Sequence, residues 1–254
     1  EIGYDHMDAL GSTIEEIAWH KAGIIEPATP VVTAVTDPSA LRVIEEIAGD
    51  LGADVYRVTP TAGDFQRTNE ATARLAVDLL EFDIDVDDVA DGLAHDRVPG
   101  RVEIVQRDPP VILDGAHNPQ KIAALASWYR QNFPGTQPIV VAGFLDSKDL
   151  RGMLQLLTEI GSALILTEPH IANKHAASID KLVAIAQDLG ITMPLHSEPD
   201  PQTAVAVGID LARRTNAPLL VTGSLYLIGN VRGRWYPDDA VLLKQTPWPR
   251  RTKS

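Results

Sequence analysis

The sequence predicts an α/β protein in two segments, the second a doubly wound domain on a parallel sheet. Three observations carry that prediction. First, short apolar runs that do not alternate with polar residues ("PVILDG", "PIVVAGF", "ALILTEP", "PLLVTGS") recur from residue 110 onward between helical patterns, which marks strands buried on both faces. Second, residues 1–95 carry helices and short strands of their own. Third, "HDRVPGRV" (95–102) has the proline and glycine punctuation of a connection between domains. The expected organisation is a first segment over 1–95, a linker or hinge at 96–101 and a second domain over 102–254.

The elements follow in order. "GYDHMDALG" (3–11) reads as a loop, and a helix begins at Ser12 with Glu15 three residues on, a capping-box spacing. Ile14, Ile17, Ala18 and Ala22 give that helix a buried face, and at about 100° per residue Lys21 falls inside the stripe. Gly23 stops the helix. Next come a strand at "PVVTAV", a helix through "SALRVIEEIAG", a strand at "DVYRV", a helix from about Gln66 to Leu80 and a short acidic helix near Asp87. In the second segment, helices begin at Asn118, after Asp149, around Lys181, near Pro201 and at Leu225, with strands between them that include "ITMPLH". Ligands of such a domain gather at the carboxyl ends of its strands.

Composition narrows the class. The 254 residues are 44% hydrophobic, enough for a substantial core, and no run approaches the ~20 apolar residues of a membrane span. With no cysteine, disulfides and thiolate metal sites are excluded. No amino-terminal run combines basic residues with an apolar core, so a cytoplasmic location is expected. The chain starts at Glu rather than Met, and a fragment lacking upstream residues is expected. The net charge is −13 and only seven residues are lysine. Such a surface suits solubility in concentrated salt, so a halophilic source and an ordinary acidic cytosolic enzyme both fit. The same charge repels a phosphate backbone and argues against nucleic acid as a partner.

Several polar clusters sit where chemistry is expected. "VILDGAHNP" (111–119) runs off a strand into a helix, with Asp114 and His117 at the strand's carboxyl end and Asn118 as helix cap. "VAGFLDSKD" (141–149) and "VTGSLYLIGNVR" (221–232) repeat the theme with Asp146, Lys148 and Ser224; Ser224 taken alone reads as a cap. His6, between Asp5 and Asp8, is a metal-ligand candidate, against the plainer reading of a solvated loop histidine. Gln66 and Asn69 share a helix face in "GDFQRTN", where amides suit the edge of a base or simply cap the helix. A lysine that faces the core must find a partner, lose its proton or be modified.

Taken in order, "IGYDHMDALGSTIEEIAWHKAGII", "GDFQRTN", "VPGRVE", "VILDGAHNP", "GFLDSKD" and "GSLYLIGNVR" resemble the signature of folylpolyglutamate synthase and dihydrofolate synthase, within the Mur-ligase superfamily. The resemblance spans nearly the whole chain. It implies the remainder of a central ATPase domain followed by a Rossmann-like carboxy-terminal domain. It implies ATP-dependent ligation of L-glutamate to a folate or dihydropteroate carboxylate through an acyl phosphate, with Mg²⁺. By resemblance Lys21 is the lysine carbamylated by CO₂, which becomes a hard oxygen ligand, and burial would favour the neutral amine this requires. His6 is implied as a Mg²⁺ ligand, Gln66 and Asn69 lie near adenine, and Arg101 contacts the nucleotide phosphates. Asp114 and His117 are implied to close over nucleotide and glutamate, and Ser224 belongs to the glutamate-binding part. Since both segments contribute, the resemblance implies a site between domains assembled by hinge closure near 96–101.

The chain departs from the family pattern at His20 (usually glutamate), Tyr4 (usually leucine) and Asn230 (usually glutamate). No Gly-Lys-Ser/Thr occurs, so the phosphate loop is expected upstream of residue 1, and this chain alone is expected to be inactive. Two alternatives stay open: a Mur-type ligase with another acidic acceptor, and a ligase-like module that binds without turnover.

Overall fold

The computed structural model describes residues 2–4, 7–80, 85, 87–89, 92 and 98–245. It forms two compact units, residues 1–96 and 97–254. His6 lies outside the described residues, as does most of the acidic stretch around Asp87, of which 87–89 are helical.

In the first unit a short helix α1 (Met7–Leu10) replaces the expected loop. Helix α2 (Ile14–Ala22) starts one residue later than the sequence suggests. Its cap is Thr13, and Glu16, not Glu15, closes the capping box. The Glu16 carboxylate accepts from the backbone of Ser12 (2.6 Å) and Thr13 (3.1 Å), and these bonds hold its pKa below the usual glutamate value. Either frame satisfies the S/T-x-x-E spacing; the carboxylate that reaches both free N–H groups wins.

Helix α3 (Pro38–Asp50), capped by Asp37 with proline in its first turn, packs Ala40 and Ile44 against Ile17, Ala18 and Ala22. Strands β1 (Val31–Thr33) and β2 (Val55–Arg57) pair in parallel, and α4 (Phe65–Asp78) follows.

Lys21 corrects the sequence expectation: it is exposed. The helical wheel gives position around an axis but not along it. The contact with α3 runs through Ile17, Ala18 and Ala22, and Lys21 stands beside it in the last turn. There its charge complements the helix dipole.

The second unit is a six-stranded sheet in the order β3-β4-β8-β5-β6-β7. Strands β4 (Pro110–Leu113), β5 (Ile139–Ala142), β6 (Ala163–Leu166), β7 (Leu195–Ser197) and β8 (Leu219–Thr222) are parallel. β7 occupies the end of the expected "ITMPLH" strand and runs past it. β3 (Glu103–Arg107) pairs antiparallel with β4, so the sheet is mixed rather than wholly parallel. That strand is hard to see in sequence because Glu103 is buried while Ile104 is exposed, the reverse of an ordinary alternation.

The helices are α5 (Pro119–Asn132), α6 (Leu150–Thr158), α7 (Ile179–Asp188), α8 (Pro201–Thr215), α9 (Leu225–Arg232) and α10 (Asp238–Lys244). The chain steps β4, β5, β6, β7 in one direction and returns to β8. Right-handed crossovers therefore place α5, α6 and α7 on one face and α8 on the other. The second face is packed by Val205 and Ile209 of α8 and Leu227, Ile228 and Val231 of α9 against Val111, Val141, Leu219 and Val221. Alternate strand residues Ile112, Val140, Leu164 and Leu220 point the opposite way and are equally buried.

Glu103 fixes how this unit begins. Its carboxylate accepts from Gly100 N (2.9 Å) and from Arg232 Nε and Nη2 (2.8–3.1 Å), and Arg232 also lies over the Tyr236 ring at 4.4 Å. The two side chains are 4% and 13% exposed. Removing one partner strands a buried charge, so Glu103→Ala should cost about 3–5 kcal/mol in urea unfolding of this unit. A loss below about 1 kcal/mol would show that the pair does not hold the loop.

Candidate active site

The return of the chain to β8 creates a topological switch. β4 and β8 are neighbours, yet the helix after β4 covers one face and the helix after β8 covers the other. The crevice at their carboxyl ends is where such sheets hold ligands. Three loops meet there.

Asp114 leaves β4, its own N–H bonded to Val221 O (3.0 Å). Its side chain is turned inward and is 3% exposed. One oxygen accepts from Val102 N (2.9 Å), the other from Ala116 N (2.8 Å). Gly115 N donates to Gly100 O (2.8 Å), so residues 100–102 and 114–116 are stitched together. Gly115 has no room for a side chain: a Cβ there would come within 2.2 Å of Leu225 Cδ2, on the first turn of α9. Burial pushes the Asp114 carboxyl above the usual aspartate value. Its two backbone bonds and the charges of Arg101 and Lys121 oppose that shift without cancelling it.

His117 is half-buried, with Nδ1 at 2.8 Å from Gly115 O. A carbonyl only accepts, so Nδ1 carries the proton and Nε2 presents a lone pair. Lys121 Nζ lies 3.0 Å from that Nε2. Asn118 caps α5 by accepting from Lys121 N (2.8 Å), which sets the first turn and with it the lysine's reach toward the histidine.

Ser224 caps α9, accepting from Tyr226 N (3.0 Å) and Leu227 N (3.2 Å), and is 1% exposed. The capping alternative weighed from sequence is thus realised.

Arg101, Asp114, His117 and Ser224 are therefore brought to one edge of the second unit. In the first unit Gln66 is half-buried and Asn69 exposed on the opening turns of α4. The cap of that helix is Asp64, which accepts from Arg67 N (3.1 Å), so neither amide is used for capping. Asp114 and Ser224 point their polar atoms at backbone N–H groups, as builders of the loops. Lys121, Glu103 and Arg232 were not singled out from sequence. Lys121 could have been, since it follows His117 by four residues across a helix start. Among the described residues no three His, Asp or Glu side chains gather as a metal site. No helix among them is long and apolar enough to cross a membrane.

The model of the Mur ligase glutamate ligase domain matches residues 100–225. A dihydrofolate synthase/folylpolyglutamate synthase of Bacillus subtilis is 33% identical over 92% of this chain and 61% of its own length. A bifunctional folylpolyglutamate synthase/dihydrofolate synthase of Yersinia pestis, crystallised with AMPPNP and a Mn ion, superposes with a TM-score of 0.77 at 25% identity, covering 92% of this chain and 60% of that one. The folylpolyglutamate synthase of Mycobacterium tuberculosis shares the fold, with a TM-score of 0.81 at 24% identity over 93% of this chain and 62% of that one. The chain thus spans about three fifths of the length of these relatives.

The residues matched by the Mur ligase glutamate ligase domain model fall within the doubly wound second unit. Over most of its length the chain is similar to proteins named dihydrofolate synthase and folylpolyglutamate synthase.

The raised Asp114 pKa sets a pH dependence. Above the ordinary aspartate value of 3.8 the folded state holds a proton that the unfolded chain has lost. Its stabilising contribution is full below that value and is lost as pH rises through the folded pKa. Against Asp114→Asn, the wild type should lose relative stability as pH rises above about 4, read from urea midpoints at each pH. Parallel curves for the two proteins would remove burial as the dominant influence on this group.

Proposed function

We propose that the polypeptide containing this chain is an ATP-dependent ligase that joins the amine of L-glutamate to a folate or dihydropteroate carboxylate. The observation that carries the proposal is the strand-end cluster of His117, Lys121 and Arg101 around Asp114, in a chain similar to the B. subtilis enzyme over 92% of its length. In this reaction the acceptor carboxylate takes the γ-phosphate of ATP to become an acyl phosphate; the amine attacks its carbonyl carbon, and inorganic phosphate leaves. The substrates are anionic, and three half-buried basic side chains at a strand end suit them.

Each residue has a task that its geometry supports. Arg101 and Lys121 provide positive charge at the crevice for phosphate and carboxylate oxygens. His117, held in one tautomer by Gly115 O, offers its Nε2 lone pair to the ammonium of Lys121 in the free state. When Lys121 turns to an anionic ligand, Nε2 is freed to take the proton that the attacking amine must lose. Asp114, Gly115 and Ser224 hold the loops in register. Gln66 and Asn69 of the first unit are proposed to read adenine.

A divalent cation, Mg²⁺, is proposed to serve the reaction, in keeping with the nucleotide analogue and Mn ion of the Y. pestis structure. The described residues provide no ligand set for it, His6 lies outside them, and exposed Lys21 lacks the burial invoked for its carbamylation, so no step is routed through the metal.

The test is ADP release by the full-length polypeptide. Release should depend on both glutamate and either dihydropteroate or a reduced folate, and His117→Ala should lower kcat about 100-fold. Activity only with a different acidic acceptor in the same panel would favour another Mur-type ligase. A His117→Ala enzyme within twofold of wild type would remove the histidine from the chemistry.

A further inference from the structure

The loop between β6 and α7 (167–178) is pinned at both legs. Thr167 N donates to Ala142 O (3.0 Å), and Glu168 Oε1 accepts from Ile179 N (2.8 Å). Ala177 N donates to Phe144 O (2.9 Å), and His175 O accepts from Asp146 N (2.9 Å). A third anchor comes from α9. Asn230 accepts from His170 N (2.9 Å) and donates to His170 O (3.2 Å), mimicking a strand pair, while Gln202 donates to the Asn230 carbonyl. Only an amide can do both, because a carboxylate cannot donate.

This bracing holds Lys174, at the exposed tip, with its ammonium 5.7 Å from the centre of the Tyr226 ring. Tyr226 lies two residues past Ser224, whose hydroxyl takes its N–H, and its neighbour Leu225 touches the Gly115 position. Lys174 therefore stands over the first turn of α9, the helix that Ser224 caps. An aromatic face steadies a cation without neutralising it. Lys181, a few residues on, differs: its ammonium is paired with Asp146 at 2.6 Å. Among the described residues the Tyr226 ring is the partner of Lys174, which leaves its full charge for an incoming anion.

We propose that Lys174, steadied on Tyr226 and positioned by the Asn230 brace, recognises a carboxylate of the incoming amino acid. The inference rests on the ligase reading above and adds a specificity residue to it. The aromatic contact is weak enough to yield when a carboxylate arrives, and a charge-assisted bond then replaces it.

The experiment measures glutamate KM, ATP KM and kcat of the full-length polypeptide for wild type, Lys174→Ala, Lys174→Arg and Lys181→Ala. Lys174→Ala should raise glutamate KM about 10- to 100-fold with ATP KM unchanged, the loss expected for one charged hydrogen bond. Lys174→Arg should recover most of it, and Lys181→Ala should stay at the wild-type value. Glutamine and isoglutamine, each lacking one carboxylate, identify the group that is read: Lys174→Ala should lose discrimination against one of them. An active enzyme whose glutamate KM moves less than twofold in Lys174→Ala, or moves equally in Lys181→Ala, overturns the inference and leaves the ligase reading intact. A wild type with no glutamate-dependent ADP release overturns the ligase reading, and this inference with it.

Discussion

The buried carboxylate of Asp114 is the constraint on which the second unit's crevice depends. Its two oxygens take the N–H groups of Val102 and Ala116, one from the chain entering the unit and one from the loop leaving β4. Those groups would otherwise be buried without partners, at a cost of about 1–3 kcal/mol each. With them satisfied, Gly100 O can receive Gly115 N, and Gly115 can press against Leu225. His117 then falls where its Nδ1 meets the Gly115 carbonyl. A desolvated carboxylate is costly, so its retention is explained by a geometric need: two donors on opposite sides of one side chain.

Glu103 and Arg232 extend the same logic to the far end of α9. Residues 98–101, the described part of the expected 96–101 linker, are bonded into the second unit together with Val102, through Gly100, Val102 and Gly115. Arg232 is the last residue of the helix that Ser224 caps, so one helix carries at one end the serine of the strand-end cluster and at the other the anchor of the entering chain. The rigidity of α9 links the two.

Much of this unit was legible because its strands are short apolar runs between strong caps. Asn118, Asp149 and Asp200 sit where their side chains accept the N–H of the third following residue, and each helix starts there. β3 was not legible, since one of its two buried residues is a glutamate whose partner lies 129 positions away. Neither was the exposure of Lys21, because periodicity reports which side of a helix a residue takes and not what packs there. The one-residue slip at α2 has a similar origin: Ser12/Glu15 and Thr13/Glu16 share a spacing, and only the three-dimensional reach of a carboxylate separates them. In the candidate site, the order of motifs drew attention to Asp114 and Ser224 along with His117 and Arg101, and only hydrogen-bond partners showed that the first two hold backbone.

Charge shows the same division between what a sequence lists and what a fold assembles. Read linearly, −13 with seven lysines describes a chain that repels anions. Folded, four of those seven lysines (121, 148, 174 and 181) lie on the loops or first helical turns that follow β4, β5 and β6. Helix amino-termini lie at the same edge and add partial positive charge. Long-range repulsion from a net-negative surface is screened within about 8–10 Å at physiological salt, whereas a lysine at hydrogen-bond distance is not. An acidic protein can therefore hold acidic substrates, provided its few ammonium groups are concentrated where the sheet delivers them.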